Sequence, residues 1–189
     1  MITFERRKQD CLKKDDKSSI GEWDKPIAKL CDKINKLDKY YTLSSCSGRI
    51  VLIKNLDKKQ PGMFVLRTHN KIKFQDIVNS LNEASKTQET LNFKHEPPIL
   101  HVCTKSLEDA EKLLNKSRDS GWKNSGIMST KGRIVLELRS TEYLALPIME
   151  KGRVLVSDEF IKILVRESNN RMEKGWEKIK KLQEAISVS

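Results

Sequence analysis

The sequence has few of the features that mark secreted, membrane or metal-binding proteins. Its four cysteines are widely spaced without a C-x-x-C pair, and its three histidines show no metal-ligand spacing. We therefore expect reduced thiols and no bound metal. No apolar run approaches the roughly 20 residues that cross a bilayer, and the first residues lack the apolar stretch of a signal peptide. These absences predict a soluble, cytoplasmic protein without membrane contact.

A glycine-rich nucleotide-binding signature is also missing, because none of the eight glycines forms a G-x-G-x-x-G run. A Rossmann-type cofactor site is therefore not expected. What the chain has in excess is positive charge: 37 Lys and Arg against 26 Asp and Glu give a net charge of +11. A surplus of this size favours a polyanionic partner, most simply nucleic acid. With 37% apolar residues, the 189-residue chain can bury the core of a single domain, 1–189.

Hydrophobic periodicity predicts an α+β fold in which a mixed sheet is flanked by helices. The helical spacing of apolar residues indicates five helices: 3–14, one that begins after Asp24, 74–81, 107–118, and a long basic helix from Ser157 onward. Strands are expected at 40–43, 49–53 and 63–68 as a meander, then at 89–94, 99–103, 125–129, 132–139 and 153–156. Ser106 with Asp109 resembles a capping box, and Gly121 suits the position just after a helix.

One pentapeptide occurs twice. The letters of residues 48–52, Gly-Arg-Ile-Val-Leu, return at residues 132–136, and residues 152–156 form a looser third copy. A duplicated hairpin in two half-domains that share one sheet would explain this repetition. Reuse of a favourable turn-to-strand junction explains it nearly as well, because glycine opens turns and β-branched residues fill strands. Duplication is therefore one of two open interpretations.

The stretch Ser44-Ser45-Cys46-Ser47-Gly48-Arg49 is chemically unusual for a turn between two strands. It contains several hydroxyl groups, a glycine and an arginine, whereas turns ordinarily use Asn, Asp, Pro or Gly. The backbone around Gly48 can approach a ligand closely, and Arg49 has a planar fork that suits carboxylate or phosphate. We interpret the stretch as an anion-binding loop, with an ordinary serine-rich turn as the alternative.

Several stretches together resemble the archaeal and eukaryotic tRNA wybutosine-synthesis methyltransferase family, which carries out the third step of that pathway. The resemblance rests on 16–18 (Asp-Lys-Ser), on 44–50, on 99–102 (Ile-Leu-His-Val), on 121–127 (Gly-Trp-Lys-Asn-Ser-Gly-Ile), and on 137–140 (Glu-Leu-Arg-Ser) followed by Pro147. It continues to Asn169 and Asn170 in the last helix. Gly-Trp-Lys stands where many relatives have Phe or Tyr with Arg, which keeps an aromatic ring beside a cation.

This resemblance implies transfer of a methyl group from S-adenosylmethionine to N4 of a tricyclic guanine derivative at position 37 of phenylalanine tRNA. It implies contact with the anticodon arm, and it implies a fold that is not Rossmann. A basic RNA-binding module without catalysis is the alternative function. The composition does not indicate the oligomeric state.

Methylation of a ring nitrogen requires that a proton leave the nitrogen, and histidine is the natural base near neutral pH. His101, inside an apolar strand, is the candidate base, and Asp16 is the alternative. A structural role is the other interpretation of a lone histidine in an apolar strand. For the cofactor, the expected contacts are Ser44, Ser45, Ser47, Gly48, Arg49, Ser125 and Gly126.

The carboxylate that the serine-rich loop holds could belong to the cofactor or to the side arm of the modified base. Further substrate contacts are expected from Ser18, Arg139, Ser140 and Trp122, where Trp122 either stacks on a base or belongs to the core. Basic helices at both ends are expected to contact tRNA phosphates without reading sequence. Their candidate residues are Lys14, Arg166 and Arg171.

Overall fold

The computed structural model describes residues 3–13, 23–58 and 60–186. These residues form five helices: α1 (Phe4–Leu12), α2 (Lys25–Asn35), α3 (Phe74–Ser85), α4 (Leu107–Asp119) and α5 (Asp158–Ala185). They also form nine strands: β1 (Tyr40–Cys46), β2 (Arg49–Lys54), β3 (Phe64–Thr68), β4 (Leu91–Glu96), β5 (Ile99–Thr104), β6 (Gly126–Ser129), β7 (Ile134–Arg139), β8 (Leu144–Glu150) and β9 (Arg153–Val154). No helix among these residues is long and apolar enough to cross a membrane.

The strands form two antiparallel sheets, one in each of two compact units. The first unit, with residues up to 47, 98–141 and from 175 on, holds a sheet of order β1-β5-β7-β6. The second, with 48–97 and 142–174, holds a sheet of order β3-β2-β4-β8-β9. The α+β class, the long C-terminal helix and the absence of a Rossmann fold are confirmed.

Two details of the predicted sheet are wrong. The strands form two sheets instead of one. Neither sheet is mixed, because every pairing is antiparallel. The first three strands are also not one meander: β2 pairs with β3 as expected, but β1 pairs with β5. The two copies of the repeated pentapeptide accordingly lead into strands of different sheets, β2 and β7. Local sequence cannot distinguish a hairpin turn from a crossing into another sheet.

In the first unit, one face of the sheet carries the core. Alternate residues of β5 and β7, including Leu100 and Leu138, pack against apolar residues of α2, α4 and the end of α5. Trp122 is fully buried in this cluster. Burial of an aromatic ring of this size is among the largest single contributions to a core. The arrangement fixes β5 and β7 firmly and leaves their other residues on the opposite face.

Helix α1 lies on that opposite face, against β1. The Phe4 ring contacts the Tyr41 ring at a centroid distance of 5.2 Å, and Lys8 Nζ donates to the Leu37 carbonyl over 2.6 Å. Burial, together with a hydrogen bond to Cys103, strongly raises the pKa of the Tyr41 hydroxyl. Tyr41 and Cys103 are therefore buried beneath α1, and the Tyr41 hydroxyl keeps its proton at neutral pH.

The signals that end helix α4 work as the sequence predicts. The Ser106 hydroxyl accepts from the Asp109 backbone N–H over 3.0 Å and donates to the Asp109 carboxylate. At the other end, Gly121 has φ +95°, a conformation that glycine adopts without strain. The backbone N–H of Trp122 donates back to the Ser117 carbonyl over 2.9 Å. This ending directs Trp122 into the core.

In the second unit, strand β8 is the element that the sequence does not predict. Pro147 lies inside it and argues against a central strand, because proline cannot donate to the ladder. The structure accommodates Pro147 opposite Asn92, next to a β-bulge in β8 itself: Leu91 pairs with Met149 and Asn92 with Pro147, so that Ile148 is the extra residue. The bulge lets β8 lie between β4 and β9 despite the missing donor.

Candidate active site

The serine-rich stretch is mostly strand and not loop. Ser44, Ser45 and Cys46 belong to β1, and only Ser47 and Gly48 connect it to β2. Gly48 has φ +97°, which explains the glycine at this position. The prediction of a six-residue loop is therefore wrong, because serine and cysteine pair in a ladder as readily as other small residues when a partner strand is available.

A β-bulge decides which way these serines face. Thr42 pairs with Val102, and the register then shifts so that Ser44 pairs with His101. The extra residue, Leu43, reverses the alternation of side chains along the rest of β1. Ser44 consequently lies on the face of His101, opposite the core, whereas an unbulged strand would direct it toward the core.

Three polar side chains from three neighbouring strands form a hydrogen-bonded row on this face. Ser44 of β1, His101 of β5 and Glu137 of β7 occupy directly opposed positions. The Ser44 Oγ lies 2.8 Å from His101 Nδ1, and the His101 Nε2 lies 3.1 Å from Glu137 Oε2. The side chains of His101 and Glu137 are 24% and 28% exposed. The imidazole is thus held at both nitrogens and still reached by solvent.

The partners of His101 determine which nitrogen carries the proton. A carboxylate only accepts hydrogen bonds, so the neutral imidazole places its N–H on Nε2 toward Glu137. Nδ1 is then the acceptor, and the Ser44 hydroxyl donates to it. The arrangement presents a basic nitrogen beside a hydroxyl group, with a carboxylate behind the ring, as a general base requires.

Glu137 is the functional candidate that the sequence reasoning misses. It lies in a stretch that carries the family resemblance, yet its own role is not assigned from the sequence. The available signal is weak: His101 and Glu137 each interrupt an apolar strand with a polar side chain on the same alternation as the solvent-facing positions. Only the register between β5 and β7 shows that the two are directly opposite.

The turn residues are already engaged within their own unit. The Ser47 backbone N–H donates to the Asp24 carboxylate over 2.8 Å. Asp24 stands at the N-cap position of α2, but its side chain forms no capping hydrogen bond to that helix. The Ser47 hydroxyl is buried and has no partner among the described residues. A carboxylate of the chain itself therefore occupies a donor that the sequence assigned to a ligand anion.

In the second unit, Arg49 is also paired. Its Nε donates to the Glu96 carboxylate across the β2–β4 ladder, and its guanidinium lies 5.4 Å from the centre of the Phe64 ring. Both side chains of the ion pair are 30% exposed. Arg49 therefore has a fixed orientation and a charge that Glu96 already balances.

The residues predicted from the second half of the chain divide into structural and accessible groups. The Ser125 hydroxyl donates to the Trp122 carbonyl over 2.6 Å and accepts from the backbone N–H of Arg139 over 3.0 Å. Ser140 is fully buried. Gly126 begins β6 opposite Glu137, beside the hydrogen-bonded row. Ser125 and Ser140 thus tie the strand ends together, and Gly126 leaves open space where a side chain would stand.

Trp122 is a core residue. It is 0% exposed, and its indole N–H donates to the Lys178 carbonyl over 3.1 Å. A ring with no exposed face cannot stack on a base, so the expectation of stacking is wrong. The interpretation of Trp122 as core, which the sequence left open, is correct.

The remaining candidates are two helix cations and three residues outside the described part of the chain. Arg166 is exposed, and its Nε lies 3.5 Å from Oε1 of Glu167. Arg171 is half-buried, and its Nε has no partner among the described residues. Lys14, Asp16 and Ser18 lie outside the described residues.

A second histidine, not singled out from the sequence, is His95 of β4. It is 0% exposed, its Nδ1 donates to the Glu142 carbonyl, and its Nε2 has no partner among the described residues. Burial lowers the pKa of His95, and the positive charge of Arg171 lowers it further. His95 is therefore a neutral residue of the interior.

Comparison with known proteins agrees with the resemblance seen in the sequence. The family model described as methyltransferase TYW3 matches residues 6–188. The tRNA wybutosine-synthesizing protein 3 homolog of Danio rerio is 36% identical over 99% of this chain and 76% of its own length. In Pyrococcus furiosus, the protein named tRNA(Phe) 7-((3-amino-3-carboxypropyl)-4-demethylwyosine(37)-N(4))-methyltransferase 1 is 34% identical over 98% of this chain and 95% of its own.

Solved structures agree in fold as well as in sequence. The PH1069 protein of Pyrococcus horikoshii matches with a TM-score of 0.85 at 33% identity, covering 96% of this chain and 93% of that protein. A hypothetical protein from Aeropyrum pernix matches with a TM-score of 0.71 at 25% identity, over 84% and 96%. The family match spans nearly the whole chain, and the predicted resemblance is confirmed. The chain belongs to the TYW3 methyltransferase family.

Proposed function

We propose that the protein transfers a methyl group from S-adenosylmethionine to N4 of the 7-(3-amino-3-carboxypropyl)-substituted demethylwyosine at position 37 of phenylalanine tRNA. Membership of the methyltransferase family supports the reaction class, and the names of archaeal relatives at 33–34% identity supply the substrate. The net charge of +11 suits a tRNA substrate. We further propose that residues 1–189 act as one functional domain in the cytoplasm.

The observation that carries the mechanism is the row Ser44–His101–Glu137. When bound, S-adenosylmethionine supplies an activated methyl group and keeps the electron pair of the broken C–S bond. The N4 nitrogen loses its proton as the new N–C bond forms, and we assign that proton to His101 Nδ1. The Ser44 hydroxyl, hydrogen-bonded to Nδ1, orients the ring or relays the proton. Asp16, outside the described residues, stays the alternative base.

Glu137 acts through His101 and not on the substrate. Its carboxylate holds the Nε2–H side of the ring, so that the lone pair of Nδ1 keeps its direction. The same carboxylate stabilises the positive charge that appears on the imidazole when the proton arrives. We therefore name Glu137 a positioning residue.

For the cofactor, the proposed contacts remain Ser44, Ser45, Ser47, Gly48, Arg49, Ser125 and Gly126. The Ser47 hydroxyl supports this set, since a buried hydroxyl without a partner is costly unless a ligand or water satisfies it. The Asp24 carboxylate beside Ser47 suits the ammonium group of the methionyl part better than its carboxylate. Because Arg49 is balanced by Glu96, we expect it to contribute hydrogen bonds more than net charge.

For the substrate, we propose that Ser18, Arg139 and Ser140 lie toward the modified base. Lys14, Arg166 and Arg171 are proposed to contact phosphates of the anticodon arm. Contacts of this kind set orientation and affinity without reading bases. Selectivity then comes from the bulky modified base.

The test is transfer of a labelled methyl group from S-adenosylmethionine to phenylalanine tRNA isolated from cells that lack this step. We expect the label in one nucleoside of the anticodon loop, identified after digestion, and no label in fully modified tRNA. Tight, salt-sensitive tRNA binding without any transfer would contradict the proposal and favour the RNA-binding module.

A further inference from the structure

A cation-lined cavity in the first unit lies apart from the row Ser44–His101–Glu137. Its volume is about 320 Å³, near the lower end of the range for small-ligand sites. Residues of α1, of the end of β5 and of the β6–β7 turn line it, among them Arg7, Lys105, Thr130, Arg133 and Ile134. We call this the α1 cavity.

The three cations of the α1 cavity differ in how they are held. Arg7 Nη1 donates to the Gly132 carbonyl over 2.5 Å, which ties α1 to the turn and fixes the guanidinium. Lys105 Nζ donates to the Glu5 carboxylate over 2.7 Å, and this bond raises the pKa of Lys105 and lowers the pKa of Glu5. Arg133 is exposed in the turn. One carboxylate thus balances one of the three positive charges.

No carboxylate of the described residues lies within ion-pair distance of Arg7 or Arg133. Two guanidinium groups that line one cavity create a positive potential there, which favours the binding of an anion. The planar forks of the two side chains fit the two free oxygens of a phosphodiester, and the Thr130 hydroxyl can donate a further bond.

From these features we propose that the α1 cavity binds a backbone phosphate of the tRNA substrate, with Arg133 as its exposed clamp and Arg7 as the one fixed by the Gly132 carbonyl. The inference rests on the proposed function, because it takes tRNA as the substrate. The inference goes beyond the proposed function because it places a phosphate contact on the β6–β7 turn, whereas the sequence analysis placed such contacts on the terminal helices. Contacts of this kind are read by charge and geometry, without base specificity.

The experiment measures the affinity of tRNA for Arg133→Gln over a range of salt concentrations. Lys131→Gln is the matched control, because Lys131 is an exposed cation of the same turn that does not line the cavity. Loss of one phosphate contact should reduce the salt slope of log affinity by about 1. We expect this change in Arg133→Gln and a clearly smaller one in Lys131→Gln.

An unchanged slope in Arg133→Gln, or an equal loss in both variants, would overturn the inference. Thermal stabilisation of the wild type by inorganic phosphate that disappears in Arg133→Gln, with the tRNA slope unchanged, would assign the cavity to a small free anion instead and would also overturn it. Because the readout is binding, it is independent of methyl transfer. A wild type that binds tRNA but transfers no methyl group would refute the proposed function and leave this test intact.

Discussion

Two histidines in antiparallel strands of this protein have opposite environments. His101 is partly exposed, and both of its nitrogens are engaged, by Ser44 and by Glu137. His95 is fully buried, one nitrogen donates to a backbone carbonyl, and the other has no partner among the described residues. A proton acceptor must exchange protons during each turnover, which the first environment permits and the second penalises. The comparison teaches that accessibility and paired partners, more than residue type, distinguish a candidate base from an interior histidine.

The largest effect is expected from His101→Gln. Glutamine retains hydrogen bonding to Ser44 and Glu137 but cannot take up a proton, so kcat should fall about 10²–10⁴-fold, the usual contribution of a general base. The affinity for tRNA should change little. The measurement is kcat and KM for methyl transfer, with circular dichroism to confirm folding. Equal activity of variant and wild type would return the role of base to Asp16.

The core behind the row Ser44–His101–Glu137 should contribute to the stability of the fold and not to methyl transfer. Trp122→Ala removes a fully buried ring, and truncation of such a residue costs about 3–5 kcal/mol in the free energy of unfolding. Urea denaturation measures this cost. The fraction that remains folded should bind tRNA as tightly as the wild type. A loss of tRNA affinity without a loss of stability would show that Trp122 contacts the base after all.

Acid should destabilise the fold through His95. Its pKa in the folded state is lowered below the ordinary value of 6.5, so below that pH the unfolded chain binds a proton that the folded chain does not. Stability from this group is therefore complete above about pH 6.5 and falls as the pH drops, by up to about 1.4 kcal/mol per pH unit.

The matched variant is His95→Leu, measured by urea denaturation at several pH values beside the wild type. The variant should be less stable at neutral pH, because the buried Glu142 carbonyl loses its donor, yet its stability should depend less on acid. Parallel pH dependences in the two proteins would show that other groups cause the acid sensitivity.

Much of the secondary structure follows from local patterns. The cap of α4 at Ser106, the glycine at 121 and the strands near 89–94 and 99–103 are all predicted, because each depends on residues close in sequence. The predictions that fail concern residues whose partners are distant in sequence. The pairing of β1 with β5 requires knowledge of which strand lies beside it. Strand β8 is hidden by Pro147, which is accommodated next to a bulge that forms only when β8 pairs with β4.

The candidate site shows the same division. His101 and Ser44 are selected from the sequence by residue type, but their contact depends on one extra residue at Leu43 that no local pattern indicates. Glu137 escapes assignment because its partner lies on another strand. The Arg49 guanidinium and the Ser47 backbone N–H look available for a ligand in the sequence, and the structure shows a carboxylate beside each. Sequence supplies the groups, whereas the register decides which of them meet.

The proposed action of Glu137 through His101 is tested most directly by a double-mutant cycle. Single-turnover rates of methyl transfer would be measured for Glu137→Gln, His101→Gln and the double variant. We predict that Glu137→Gln slows methyl transfer by about tenfold or more when His101 is present. The same substitution should have almost no further effect in the His101→Gln variant. Independent effects, in which the double variant loses the product of the two single losses, would contradict the account.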